Sequence, residues 1–190
     1  SRFTFEGPIV KDKSSFIVSG RRTYIDVLTK PFLKDNPNFG GTGYYFYDLN
    51  AKANYRMSDK DRLYLSGYFG RDVFDFGTND PGDPKFRIPW GNTTVAARWN
   101  HVFGPKLFLN TTATFSDYQF EFNGEQSDFA FKLFSGIKDY GLKVDLSQYP
   151  NVRHSLKYGG QYIFHTYTPS TVDVSSGDTQ FNIDEPSRLK

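Results

Sequence analysis

Two neighbouring segments, 44–57 and 62–76, alternate between apolar and polar side chains with a period of two residues. The odd-numbered positions of the first segment are Tyr45, Tyr47, Leu49, Ala51, Ala53, Tyr55 and Met57, and its even-numbered positions are mostly polar. Successive side chains of a β-strand point to opposite sides, so this pattern predicts a strand with one apolar face. The polar turn 58–61 joins the two segments, which together predict a long antiparallel hairpin.

The length of this hairpin bears on what its apolar face contacts. Strands of soluble proteins usually have about five or six residues, and a strand that crosses a bilayer needs roughly 9–11 tilted residues. Alanines occupy the middle of the apolar face and tyrosines lie towards its ends, as in the aromatic girdles of membrane barrels. The pattern favours an outer-membrane strand over a soluble β-sandwich or lipocalin-like barrel.

The same alternation predicts eight strands in one domain. We expect them at 1–9, 14–28, 43–57, 62–76, 90–103, 107–122, 129–148 and 155–168, and we interpret the residues after 168 as a loop. Tight turns alternate with longer loops at 29–43, 77–89 and 123–128, so all tight turns meet at one end of the sheet, as in bacterial barrels. The apolar positions change parity within 129–148, which predicts a bulge near Gly136 to Asp139.

Composition excludes several kinds of chemistry. The 190 residues contain no cysteine, and their formal charge is only +2. A disulfide framework, a metal–thiolate site and a thiol nucleophile are therefore excluded, and nothing favours a nucleic-acid partner. His101, His154 and His165 lie on separate strands or turns without ligand spacing, and no serine has a recognisable base nearby. We expect neither an enzyme nor a bound cofactor or metal.

Two stretches carry a resemblance to a known family. Residues 7–28 (GPIVKDKSSFIVSGRRTYIDVL) and 43–74 (GYYFYDLNAKANYRMSDKDRLYLSGYFGRDVF) resemble the barrel of TonB-dependent outer-membrane receptors of the Bacteroidetes type, which often carry an N-terminal carboxypeptidase-like regulatory domain. The resemblance implies a 22-stranded transmembrane barrel closed by a plug. It also implies a multi-pass protein of the Gram-negative outer membrane that imports siderophores, cobalamin, glycans or peptides, powered by the periplasmic TonB complex.

The resemblance also bears on the partners of this chain. No plug-like segment and no TonB box is recognisable in the sequence, so we expect an internal piece of the barrel with about eight of its strands. The partners implied are outer-membrane lipid, the remainder of the barrel, a plug domain and, through the plug, the TonB complex. A surface lipoprotein lid is a further partner of some family members. The alternatives are a self-contained small barrel acting as an anchor or adhesin, and a soluble β-rich binding module or a barrel enzyme.

Candidate ligand-binding residues lie on the polar face and in one loop. They are Asp48, Lys52, Arg56 and Arg98 on the predicted inner face, and Asp72, Asp80 and Asp83 in or just before the loop 77–89. The oxygen-rich group formed by Asp72, Asp75, Asn79, Asp80 and Asp83 could bind calcium, but its spacing matches no EF-hand loop, and a solvated acidic loop is the favoured interpretation. Arg21 and Arg22 could contact an anionic ligand or lipopolysaccharide, although pairing with Asp26 is favoured.

Overall fold

The described part of the chain forms a single antiparallel sheet of nine strands with one helix. The computed structural model describes residues 1–33, 40–78, 82–176 and 179–183. Its elements in chain order are β1 (Arg2–Val10), β2 (Ser14–Arg22), α1 (Ile25–Leu33), β3 (Gly43–Arg56), β4 (Asp61–Phe76), β5 (Lys85–Gly104), β6 (Leu107–Gln126), β7 (Phe129–Asn151), β8 (His154–Ser176) and β9 (Thr179–Ile183). The strand order in the sheet equals the chain order, so each strand pairs with its neighbours in sequence.

The register assigns the residues of β1 to β8 to one of two faces, because directly paired residues share a face. Ala51 lies in a row with Phe5, Val18, Gly67, Val95, Phe115, Tyr140 and Phe164. The face that carries this row is called the convex face here. The opposite face carries Lys52, and its side chains from β1 to β6 line one depression. It is therefore called the concave face.

The sheet is a single layer over most of its area. Among the described residues, Val73 is the one buried hydrophobic residue, whereas Leu49 and Leu65 on the convex face are 45% and 52% exposed. No described helix is long and apolar enough to cross a membrane. Within the described residues no second sheet covers this face, and only α1 contacts the sheet, at β3.

The predicted antiparallel all-β architecture is confirmed, but the strand predicted at 14–28 is too long. β2 ends at Arg22, the last of its residues that pairs with β3. Beyond Arg22 the Thr23 amide still bonds to the Phe46 carbonyl of β3 at 3.0 Å, and the backbone then satisfies its hydrogen bonds internally as α1, beginning with the Leu28 amide bonded to the Tyr24 carbonyl at 2.9 Å. The predicted loop 29–43 therefore contains most of a helix.

Most of the other long strands extend beyond their predicted ends. β5 begins at Lys85 rather than at 90, β6 continues to Gln126, and β8 continues to Ser176. The predicted loop 123–128 is thus reduced to the two-residue turn 127–128, and the segment after 168 is partly strand. The strict alternation of tight turns and long loops is therefore wrong at this connection. These extensions are polar on at least one face, so sequence alone made them look like loops.

The bulge predicted near Gly136 lies in the neighbouring strand instead. β6 and β7 pair without interruption, but the register between β7 and β8 shifts between Phe134 and Gly136. Phe134 pairs with Thr171 and Gly136 with Thr168, so the extra residue is in β8, where Pro169 stands. Proline cannot donate a ladder hydrogen bond and is found at such bulges.

Candidate functional site

The convex face carries a continuous apolar band across six strands. Its segments are Tyr47–Tyr55 in β3, Leu63–Phe69 in β4, Val95–Phe103 in β5, Leu107–Phe115 in β6, Tyr140–Leu146 in β7 and Leu156–Phe164 in β8. Their convex-face positions are apolar or aromatic, apart from Gly67, Thr111, Gly160 and, near one margin, His101. In β4 the band is bounded by two charged residues on the same face, Arg71 and Asp61.

Beyond the band, towards the longer loops, the convex face becomes charged. Three cross-strand ion pairs lie there: Asp75 with Arg87 at 3.7 Å, Asp117 with Lys138 at 3.6 Å, and Glu121 with Lys132 at 3.7 Å. The cationic partners are about half exposed, so each pair contributes little stability and is suited to water. The same face thus changes from apolar to hydrated within a few residues.

The band is displaced along the strands from one side of the sheet to the other. Tyr55 ends the band in β3, and its row partner in β8 is Gly160, whereas the band in β8 ends at Leu156. At the other margin Tyr47 lies in the row of Thr168, and the band in β8 begins at Phe164. Both margins therefore shift by four residues over five strands, which means that the strands cross the band obliquely.

A polar cluster closes the band at the tight turn between β3 and β4. The Asp61 carboxylate is 2.6 Å from the His101 ring nitrogen Nδ1 and accepts hydrogen bonds from Ser58 Oγ at 2.7 Å and from Trp99 Nε1 at 3.1 Å. The hydrogen bonds of His101 and then Ser58 lower the pKa of Asp61. Ser58 Oγ also accepts from the Lys60 and Asp61 amides, so the turn and the band margin are held by one network.

Two of the predicted ligand-binding residues, Lys52 and Arg98, lie together on the concave face. Both line a depression of about 750 Å³ whose wall also contains Glu6, Ile17, Asn54, Tyr64, Ser66, Ala96 and Thr112. Within the described residues neither cation forms an ion pair, whereas Asn54 Nδ2 donates to Ser15 Oγ at 2.6 Å. The depression therefore offers two cationic groups and several hydroxyl and amide groups to an anionic or polar ligand.

The remaining predicted site residues are occupied by local partners. Asp48 forms a 2.6 Å ion pair with Arg21, the residue paired with it in β2, and Arg56 pairs with Asp59 of the turn. Asp83 accepts a 2.7 Å hydrogen bond from Thr78.

Asp72 accepts a 2.7 Å hydrogen bond from the Tyr44 hydroxyl, and this bond, with some desolvation, raises the pKa of Tyr44. Asp80 lies outside the described residues. The favoured pairing of Arg22 with Asp26 is confirmed at 3.4 Å.

No calcium site can be built from the acidic residues that the structure describes. Asp72 and Asp75 point to opposite faces of β4, and no group of three potential metal ligands converges among the described residues. The three histidines are likewise apart, with His101 beside Asp61, His154 beside Asn151 and His165 beside Asp139. Asn79 and Asp80 of the predicted cluster are not described.

An aromatic row on the concave face was missed by the sequence reasoning. Phe76, Phe86, Phe122 and Phe131 form a chain of ring contacts with centroid distances of 6.5, 5.7 and 6.0 Å across β4 to β7. Beyond the band, the two faces thus exchange character, because the concave face becomes aromatic where the convex face becomes charged. The parity change of the apolar positions in 129–148 was the signal, and it marks this exchange rather than a bulge within β7.

A second depression, of about 770 Å³, lies at this end of the sheet. Its wall combines three of these phenylalanines with charged residues of the adjacent row. The charged members of that row are Asp75, Arg87, Lys132 and Asp173, and Lys85 and Glu125 also line the depression. The rings and the charged side chains therefore point to opposite faces of their strands at this depression.

Comparisons with family models, with curated proteins and with solved structures gave no match for this chain.

Proposed function

We propose that this chain forms part of the wall of an outer-membrane β-barrel that belongs to a TonB-dependent receptor. The observation that carries the proposal is the uncovered apolar band on the convex face, which charged residues bound at both margins in β4. A surface of this size in water would be costly, since burial of apolar area is worth about 25 cal/mol per Å². Contact with the hydrocarbon of a bilayer removes that cost.

The dimensions of the band agree with a bilayer. A shift of four residues over five strands corresponds to about 13 Å along the strands over about 24 Å across them, a tilt of about 30°. Membrane barrels have strands tilted by about 35–45°. With this tilt, the eight steps from Tyr47 to Tyr55 span a height of about 23 Å, close to the ~25 Å apolar band of such barrels.

The edges of the sheet favour a piece of a larger barrel over a self-contained one. A closed eight-stranded barrel requires β1 to pair with β8, whereas within the described residues β1 pairs with β2 and the opposite edge is β9. The concave face is polar in its centre and lines a wide depression, as expected for a wall that faces water. Small closed barrels instead fill their interior with side chains.

The import of a scarce nutrient is proposed from the family resemblance of residues 7–28 and 43–74. In this proposal, the remainder of the barrel and a plug domain complete the receptor, and the plug contacts the periplasmic TonB complex. Lys52 and Arg98 in the central depression would contact the ligand as it passes along the wall. A surface lipoprotein is a further partner that the family resemblance implies.

Sidedness in intact cells tests the proposal. Gly82 lies in the connection between β4 and β5, and Val152 lies in the tight turn between β7 and β8, at the opposite end of the strands; both are exposed. We would replace each by cysteine in the full-length protein and treat cells with a membrane-impermeant maleimide. The Gly82→Cys variant should react in intact cells, and the Val152→Cys variant should react only after the outer membrane is permeabilised.

Equal labelling of both variants in intact cells, or recovery of the protein in the soluble fraction, would overturn the outer-membrane proposal. The receptor assignment has a separate test, which is the coding sequence on both sides of these residues. A plug domain upstream and further alternating strands downstream are expected. An open reading frame that encodes neither would leave a membrane barrel without the receptor function.

A further inference from the structure

The helix α1 is oriented with its polar side towards the sheet. Asp26 and Thr29 are its less exposed residues, and a Cβ atom placed on Gly43 of β3 would lie 3.8 Å from Asp26 Cβ. Asp26 also holds the 3.4 Å ion pair with Arg22 at the end of β2. The apolar residues are turned away, with Val27 55%, Leu28 69% and Phe32 85% exposed.

This orientation is the reverse of that in a water-soluble protein. A surface helix there places its apolar stripe against the core and its charged residues in solvent. In α1, Leu28 and Phe32 are four residues apart and therefore lie on the same side of the helix, and both are open. The apolar side chains of this nine-residue helix therefore need an apolar environment on the side that faces away from the sheet.

The position of α1 points to membrane lipid as that apolar environment. Gly43 and Tyr45 share the convex face with the apolar band, and both lie just beyond its Tyr47 margin. The Arg22 guanidinium lies 5.3 Å from the ring centroid of Tyr24 and 5.5 Å from that of Tyr45, which fixes the start of the helix against this aromatic margin. The exposed side of α1 is thus on the same side of the sheet as the band and continues it.

We propose that α1 lies in the interfacial layer of the membrane, with Leu28 and Phe32 inserted at the boundary between headgroups and acyl chains. This inference rests on the proposed function, because it takes the apolar band as the lipid-facing surface. Amphipathic helices bind in this way, with the apolar side buried about 5–10 Å into the boundary. Here α1 anchors the long connection between β2 and β3 to the leaflet at the loop end of the barrel.

Fluorescent labelling at single cysteines tests the inference. The 190 residues contain no native cysteine, so each variant has one labelling site among them. We would attach the environment-sensitive fluorophore NBD to the variants Leu28→Cys, Lys30→Cys and Val95→Cys of the full-length protein in phosphatidylethanolamine–phosphatidylglycerol vesicles. Quenching by lipids with a nitroxide near the headgroup is compared with quenching by aqueous iodide. The ratio of lipid to iodide quenching should be at least about twofold higher for Leu28→Cys than for Lys30→Cys, because Lys30 is exposed and lies on the side of α1 opposite Leu28 and Phe32.

The Val95→Cys variant separates this inference from the proposed function, because Val95 lies within the band. Lipid quenching at Val95→Cys together with iodide quenching at Leu28→Cys overturns the interfacial helix and leaves the barrel wall intact. Protection of Leu28→Cys from both quenchers also overturns it, because protein then covers the helix. Absence of lipid quenching at Val95→Cys overturns the barrel proposal, on which the inference rests.

Discussion

Two adjacent alanines provide the sharpest test of which face contacts lipid. Ala96 and Ala97 are neighbours in β5, Ala97 lies on the convex face between Leu65 and Ala113, and Ala96 lines the concave depression. Replacing each in turn by lysine introduces the same charge at the same depth of the sheet. The two variants differ only in the face that receives the charge.

The expected cost follows from the depth of Ala97 within the band. The rows of Arg71 and Asp61, the charged margins of the band in β4, cross β5 at Gly91 and His101, so Ala97 is about one residue, or about 3 Å, from the point midway between them. A lysine at the midplane of a membrane barrel costs about 2–4 kcal/mol, and the flexible side chain recovers part of this by reaching towards the nearer interface. We therefore expect Ala97→Lys to cost about 2–3 kcal/mol, a 30- to 140-fold change in the folding equilibrium constant.

Urea titration of the full-length protein in lipid vesicles, followed by tryptophan fluorescence, measures this difference. Ala96→Lys should change the free energy of unfolding by less than about 0.5 kcal/mol, as an exposed substitution does. Losses that are equal within error for the two variants would refute the assignment of the convex face to lipid. A larger loss for Ala96→Lys would place the apolar environment on the concave face.

Three further predictions concern the strands and turns, and the same unfolding assay reads out each of them. Gly159→Ala should destabilise the protein by about 1–3 kcal/mol, because the added Cβ would clash with the Val144 carbonyl oxygen. The control Gly160→Ala should be neutral, because a Cβ at Gly160 meets open space. Similar losses of stability in both variants would contradict the register of β7 and β8. Ser127→Gly should stabilise the protein by about 0.5–1 kcal/mol, because Ser127 has a φ of 51°, a backbone conformation that glycine adopts more easily than other residues. Ser127→Ala should show no such gain. A loss of stability in the glycine variant would contradict the backbone conformation of this turn. The hydrogen bonds of His101 and Ser58 lower the pKa of Asp61, so the contribution of this network to the free energy of unfolding should be complete above the ordinary carboxyl pKa and should disappear as the pH falls below the lowered pKa. Asp61→Asn should weaken this acid dependence of stability. An unchanged pH profile of the free energy of unfolding in this variant would contradict the prediction.

The period of two in the sequence predicted much of the central sheet correctly. Leu156, Tyr158, Gly160, Tyr162 and Phe164 were placed on one face of their strand, and the register confirms that they share it. Alternation is a local property of extended backbone, so it can be recognised without knowing the partner strand. The tight turns were predictable for the same reason, since short polar segments between alternating runs leave few alternatives.

The candidate site was predicted only in part. Lys52 and Arg98 were recognised as residues of one polar face, and they do line one depression. Sequence could not show that Asp48 and Arg56 are engaged by Arg21 and Asp59, because the partner of Asp48 depends on the register between strands. Charged residues of one face look equivalent until the neighbours of each are known.

By itself, the sequence determined the all-β antiparallel class and the apolar face of the central strands, because these follow from the side-chain period of a single extended segment. Only the tertiary structure decided where the strands end and that 25–33 is a helix with its polar side against the sheet. Those features depend on which backbone groups find a neighbouring strand and on the curvature of the whole sheet. Such long-range relations are not encoded in any local pattern of residues.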